Sequence, residues 1–366
     1  MMKTILMHLL ITATLGANAQ FHSLTIPAAS PKATIIQQVG VTRVEISYSS
    51  PSIKGRKVWE NPNIIPQKGD PIPWRAGANE NTIISFDSDV FIEGQKIEAG
   101  SYGFHIIPDG HSHTILIAKK DNLWGSYYLD VEKDIVLKTQ VKDTTCPFSE
   151  ELDFEFSNRT DSSTVISLEW GDRRIPFQLS VDLNQTTIEK FRHDLNGENT
   201  YQWEAWNDAA AWCLKRNTNL EEALTWVNRS INGGYGGFAH NYNMTNFATK
   251  IMLQKALDKT EEMYETIDYG MTLSYSIDDA HIFGGMLIEL GEEEKATEFF
   301  IKALDKYKNE WGIQYMLAIS YYFDNNLAKA KSYLKKCKDN APDFFTQRTE
   351  ITLTEMINKT YSYPNR

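Results

Sequence analysis

The stretch "RIPFQLSVDLNQTT", Arg174 to Thr187, is where the chain changes its period. Its first eight residues alternate apolar and polar side chains, the two-residue period of a strand with one buried face. The aspartate and polar residues that follow open a helical pattern, as a helix start does. Everything before this point reads as strands and everything after it as helices. Pro176 lies inside the last strand, which predicts an edge or a bulge there.

Toward the N-terminus the period-two runs continue. "ATIIQQV" and "VTRVEISYS" meet at Gly40, "VFIEGQKIEAG" turns at Glu93-Gly94, and "SYGFHIIP" turns at Asp109-Gly110 into "HTILIAKK". "TIISF", "DIVLKTQVK", "LDFEFSN" and "TVISLEW" add further short runs. Roughly nine or ten short strands at this spacing predict an antiparallel β-sandwich or jelly-roll-like domain over residues 31–184 rather than a parallel sheet.

Toward the C-terminus the pattern is helical and repeats. "NLEEALTWVNRSI", "KTEEMYETIDYG", "GEEEKATEFFIKAL" and "NNLAKAKSYLKKC" each begin polar and place apolar residues at helical spacing. Aligned, they put Ala223, Met263, Ala296 and Ala330 in register. Seven residues on stand Ser230, Gly270, Ala303 and Cys337, and twelve back stand Ala211, Ile251, Gly284 and Ala318. Mostly small residues at these places let paired helices approach closely, and the step is near that of a tetratricopeptide repeat. The match is sharper in the last two units than in the first two. The fold expected is α+β multidomain, with a tetratricopeptide-like solenoid over residues 200–360. In a solenoid each repeat meets only its neighbours, so Cys213 and Cys337 are expected apart and reduced, as small core residues.

The first nineteen residues read as a signal peptide. Lys3 precedes an apolar run from Ile5 to Leu15, and Ala17-Asn18-Ala19 has the small-x-small pattern of a cleavage site. The run is too short to span a bilayer. Export to the periplasm or the extracellular space follows, with no membrane insertion. Loss of Lys3 takes the formal charge from −11 to −12. An acidic chain has no electrostatic reason to seek nucleic acid.

Five pieces of the N-terminal half, "ASPKATIIQQVG", "YSSPSIKGRKVW", "WRAGANENT", "AGSYGFHIIP" and "WGSYY", together resemble the exported domain-of-unknown-function 2911 family of Bacteroidota type, over residues 30–180. The resemblance implies export and a β fold, and supplies no reaction. Ser50 stands where that family often has arginine, and Gln67 where it often has tyrosine.

"PIPWRAGANENT", Pro71 to Thr82, gathers the polar residues that invite a functional reading. In one reading the loop ties itself down. Gly77 takes a left-handed conformation, Asn79 hydrogen-bonds neighbouring amides, and Arg75 pairs with Glu80 while stacking on Trp74. In the other, Lys54, Arg56, Arg75, Asn79 and Glu80 converge with Trp74 on a pocket, where arginine suits an anion and tryptophan a sugar ring. Trp59 is left open between the two, and Trp124 is read as core.

The remaining constellations are weaker. His111 and His113, with His105 and Asp109 near in sequence, form a possible ligand set, but they flank a hairpin turn where polar residues are ordinary, so no metal is assigned. No Gly-x-Ser-x-Gly elbow is present. "GGYGG", Gly233 to Gly237, lacks the lysine of a phosphate loop and reads as a flexible connection. Two function classes stand. One is an exported, non-catalytic binding or scaffold protein, without cofactor, whose repeats grip a protein partner and whose β domain holds a polar or carbohydrate-like ligand. The other is a hydrolase or lyase using Arg75 and Glu80.

Overall fold

A computed structural model describes residues 26–364. The expected signal peptide, residues 1–19, lies outside the described residues. The chain divides into two compact units between Val181 and Asp182, each with its own apolar core.

Among the described residues the first unit holds ten strands in two antiparallel sheets. One has the order β1 (Lys32–Val39), β2 (Thr42–Ser49), β3 (Thr82–Phe86), β6 (Gly100–Asp109), β7 (Ser112–Ala118) and β8 (Ile135–Lys142). The other has the order β5 (Gln95–Ile97), β4 (Val90–Ile92), β10 (Ser163–Ser180) and β9 (Thr144–Ser157). Phe104 on β6 stacks on Phe177 of β10 with ring centroids 5.4 Å apart and meets Phe154 of β9 edge-on at 5.8 Å, so the sheets share one core. The hairpin turns follow the sequence. Glu93 and Gly94 both have positive φ, 48° and 76°, which matches the right-handed twist of the strands they join.

Alternation in the opening stretch translates directly into burial. Ile175, Phe177, Leu179 and Val181 are all buried, and the residues between them are not. Pro176 falls after the last β9 partner, Arg174, and before the first β4 partner, Leu179, where its missing N–H breaks no ladder. The register shifts of β10 lie earlier, on either side of Gly171, whose φ of 65° suits glycine. They bend one long strand where the sequence suggests two short ones.

In the second unit, α1 (Leu183–Leu195) begins with Asp182 accepting from the Gln185 amide, an N-cap at the expected place. Helical hairpins follow: α2 (Trp203–Arg216) with α3 (Leu220–Asn232), and α4 (Met244–Ala256) with α5 (Thr260–Gly270). Then α6 (Ile277–Leu290) pairs with α7 (Glu293–Lys306), α8 (Trp311–Phe323) with α9 (Leu327–Asn340), and α10 (Asp343–Ile357) packs on α9. Acidic first turns in α3, α5, α6 and α7 complement the helix dipoles. The second helices of the hairpins start at 220, 260, 293 and 327, steps of 40, 33 and 34. The last two steps are tetratricopeptide-like; the first is lengthened by the segment between α3 and α4.

The small residues act as the repeat reading requires. A Cβ on Gly284 would stand 2.2 Å from the Phe300 ring, and one on Gly270 would stand 2.6 Å from the Phe283 ring. In α2 the close approach shifts by one residue. Ala210 and Cys213 are fully buried and Ala211 is only half-buried. All three cysteines are free. Among the described residues no helix is long and apolar enough to cross a membrane.

Candidate functional site

The loop before β3 is tied down, by partners the sequence did not reveal. Its left-handed residues are Ala76, φ 51°, and Asn79, φ 59°, not Gly77. Gly77 is small for a different reason, since a Cβ there would sit 3.0 Å from the Ser49 carbonyl oxygen. Thr82 donates its hydroxyl to the Ala76 carbonyl at 2.9 Å. Asn79 donates its side-chain amide to the Ser30 carbonyl and the Ser49 hydroxyl, both at 3.4 Å.

Arg75 does not meet Glu80. Its Nη1 donates to the Asn79 carbonyl, and its guanidinium lies 5.4 Å from the centre of the Tyr127 ring and flat against Gly125, where a Cβ would stand 2.5 Å from Cζ. Glu80 turns outward to Lys32, with N and O 3.5 Å apart and both side chains well exposed. Screened by water, that pair is weak. Glu80→Ala should therefore shift the urea midpoint by well under 1 kcal/mol of stability. A loss of 2 kcal/mol or more would show that the carboxylate has a structural partner after all.

Three sequence pieces meet behind Arg75. His105 Nδ1 and the Ser126 hydroxyl lie 2.8 Å apart, both fully buried. Asn81 accepts from the Leu123 amide at 2.9 Å and donates to the Thr82 carbonyl at 3.0 Å. Gly103 completes the fit, because a Cβ there would collide with the Lys120 carbonyl oxygen at 2.3 Å. His105 Nε2 is buried without a partner. Burial, and then the nearby Arg75 charge, push the His105 pKa down to about 4, so the ring is neutral near pH 7. "WRAGANENT", "SYGFHIIP" and "WGSYY" thus form a lock that fastens the Leu123–Tyr128 segment. Ser126 has no exposed surface to offer a substrate.

The six residues expected to converge are dispersed. Trp74 is core, 2% exposed, bonded through its backbone to Ile106 and stacked on Trp170 at 6.1 Å. It offers no face to a ligand or to Arg75. Lys54, exposed, donates its backbone N–H to Glu150 at 2.7 Å. Arg56 spends Nε and Nη2 on the carbonyls of Ile53 and Ser52 and lines a separate cleft. Arg75 and Asn79 serve the lock, and Glu80 borders a shallow depression beside Lys32. The hydrolase arrangement of Arg75 with Glu80 is not formed. Trp124, expected in the core, is 59% exposed.

The histidines separate as well. His105 is in the lock, and Asp109 pairs with Lys68 at 2.7 Å. His111 Nδ1 and His113 Nε2 bracket the Asp143 carboxylate at 2.9 and 3.1 Å, and Arg173 Nη1 reaches it at 3.3 Å. The Asp143 side chain is 4% exposed. Burial alone would raise its carboxyl, but hydrogen bonds from both histidines and the Arg173 charge hold it below the usual range. Burial lowers His113, so a neutral ring donates through Nε2 and its buried Nδ1 is left without a partner. Asp143 was not singled out from the sequence. The signal that finds it is register, since β7 pairs with β8 and places Ser112 opposite Lys142. That ties the His111–His113 corner to the end of β8.

This cluster forms one wall of a cleft of about 470 Å³ beside Trp59, Phe148 and the Gly171 bulge. Trp59 donates its indole N–H to the Trp170 carbonyl at 2.9 Å, and the Arg173 guanidinium lies 5.2 Å from its ring centre. The bulge of β10 is what turns Arg173 to this place.

In the helical unit the Gly233–Gly237 segment is ordered. Gly237 donates to the Gly234 carbonyl at 2.8 Å and Gly234 to that of Phe238 at 3.0 Å. The Asn246 side chain ties down Asn241 and Ser230 at 2.9 and 3.3 Å. The segment displays rings to solvent. Phe238 packs edge-on to Tyr201 at 5.0 Å, and Tyr242 lies between His240 at 4.7 Å and Tyr269 at 6.3 Å. Tyr201, Phe238, Tyr242 and Tyr269 are each between 45% and 60% exposed.

No curated protein matches this chain. Among solved structures, similarity to the helical half is found in MamA, residues 41 to the end, from Desulfovibrio magneticus RS-1, at 16% identity and a TM-score of 0.28, covering 45% of this chain and 94% of that one. The MamA RS-1 ArsTM double mutant is 15% identical at a TM-score of 0.31, over 46% of this chain and 88% of that one. YrrB, described as a TPR protein with an unusual peptide-binding site, is 17% identical at a TM-score of 0.26, over 45% and 99%. Residues 30–179 match the family described as protein of unknown function, DUF2911. That match covers the β unit, whose lock is assembled from three of the motifs that suggested this family.

Proposed function

We propose that this is an exported, non-catalytic binding protein whose helical repeats hold a protein partner and whose β unit holds a polar ligand. The observation that carries the reading is the ordered aromatic display between α3 and α4. Phe238 and Tyr242 are kept in water on a segment fastened by its own hydrogen bonds, where a flexible connection would suffice, and Tyr201 and Tyr269 from neighbouring elements extend the display. Tyrosine and phenylalanine fixed in this way supply contact area at little entropic cost, as interface anchors do. The repeat architecture supports it, because stacked hairpins offer extended surfaces for protein chains. The enzymatic alternative lacks its central pair, since Arg75 and Glu80 point to different partners.

The test is comparative capture. The full chain, immobilised, should retain a discrete protein from the exported fraction of its source cells. Phe238→Ser with Tyr242→Ser should lose that protein at least about tenfold with Tm unchanged, as loss of two anchors predicts. Equal retention by the double variant would overturn the reading.

A further inference from the structure

We infer that the cleft beside Trp59 and Phe148 is a binding site for a neutral carbohydrate ring. This deepens the reading that the β unit holds a polar ligand and rests on it.

The cleft has the size of a small-molecule site, about 470 Å³. Its walls carry three cations, Arg56, Lys57 and Arg173, and three carboxylates, Glu60, Asp143 and Asp172. The formal charges cancel, so neither an anion nor a cation gains a net field. A neutral ring rich in hydroxyls gains from both signs, because each hydroxyl both donates and accepts. Planar guanidinium and carboxylate groups suit paired hydroxyls in two-bond geometry.

The apolar part of the site fits the same ligand. Phe148 stands on β9 with 67% of its surface exposed and, with Trp59, lines a cleft that also carries charged groups. An apolar ring displayed beside charged groups matches a pyranose, which has an apolar C–H face and a polar edge. Trp59 lines the opening with its ring orientation fixed by the bond to the Trp170 carbonyl and by Arg173. The polar wall is equally fixed. Asp143 is held by two histidines and an arginine from β10, so it does not have to be ordered when a ligand arrives. This differs from the lock around Arg75, which is closed around its own groups.

Titration calorimetry of the full chain would use glucose, galactose, mannose, xylose and N-acetylglucosamine hexamers where these exist as β- or α-linked chains. Sodium sulfate and oligogalacturonate serve as charged comparisons. At least one neutral oligosaccharide should bind, and Phe148→Ala should weaken it about tenfold, the loss of one stacking contact. Phe148 is exposed, so this variant should keep the wild-type Tm, and Arg173→Gln gives a second, polar readout. No binding by any neutral chain would overturn the inference, as would tighter binding of the charged comparisons. Binding that Phe148→Ala and Arg173→Gln leave unchanged would place the ligand elsewhere on the protein. That outcome removes this site and leaves the polar-ligand reading standing. Partner capture by the helical unit is read separately and is untouched by any of these results.

Discussion

Trp74→Ala should destabilise the β unit by about 3–5 kcal/mol, the range for truncating a large buried aromatic. Trp74 is 2% exposed, stacked on Trp170 and set edge-on to Trp59 at 5.7 Å. Its backbone exchanges two 2.8 Å hydrogen bonds with Ile106 and so joins the loop to β6. Truncation leaves a cavity between two further tryptophans whose backbones are held by their strand and loop, so the site cannot collapse cheaply. Trp59 loses a neighbour too, and the cleft wall should loosen with it. The measurement is a urea midpoint followed by tryptophan fluorescence, with far-UV circular dichroism as a second probe. A midpoint unchanged within 1 kcal/mol would mean that Trp74 faces a ligand space instead of the core.

The change of period at Asp182 was legible because it rests on local physics. Ile175, Phe177, Leu179 and Val181 must alternate to keep one face of a strand buried. Ala296, Ala303, Ala318, Ala330 and Cys337 must be small because helices press on them, and all five are fully buried. Local rules also placed the Glu93-Gly94 turn and the Asp182 cap. They could not show that β9 and β10 run unbroken through what looked like turns, since a bulge at Gly171 keeps the ladder going.

The site was illegible for a related reason. Arg75 finds Tyr127, His105 finds Ser126, and His111 finds Asp143. Each pairing is set by which strands are neighbours and in what register, and a single sequence does not carry that. Proximity along the chain favoured Glu80 for Arg75, and Asp109 for the histidines. The structure satisfies those two carboxylates with lysines from elsewhere. Trp124 was misplaced by a composition rule, that large aromatics go inside, which fails where a lock such as Arg75 against Tyr127 orders a surface segment.

The lock itself should make the protein acid-sensitive. The His105 pKa falls from 6.5 to about 4 on folding, first because the ring is buried and second because Arg75 lies near. Between these values the unfolded chain binds a proton that the folded chain refuses, so stability must fall as pH falls. The contribution is whole above about pH 6.5, shrinks through the window, and is gone near pH 4, a total of about 3 kcal/mol. His113 is also lowered by burial and adds to the slope in the same direction. Asp143 is lowered too, but as a carboxylate it acts below the unfolded value of 3.8, beneath the window. The two histidines can therefore be separated by substitution. His105→Gln keeps a side chain able to bond Ser126 and cannot titrate, so it should be less stable than the parent at pH 7.5 and nearly level with it at pH 4.5. Urea midpoints at the two pH values decide it. Parallel losses in parent and variant would show that the orphaned Nε2 is not the proton's destination, and that the acid sensitivity belongs to the Asp143 cluster. Protonation at His105 would set a fully buried imidazolium near the half-buried Arg75 guanidinium, with no water at the ring to screen the new charge. The first segment released should then be Leu123 to Tyr128, which this cluster fastens through Ser126, Asn81 and Arg75.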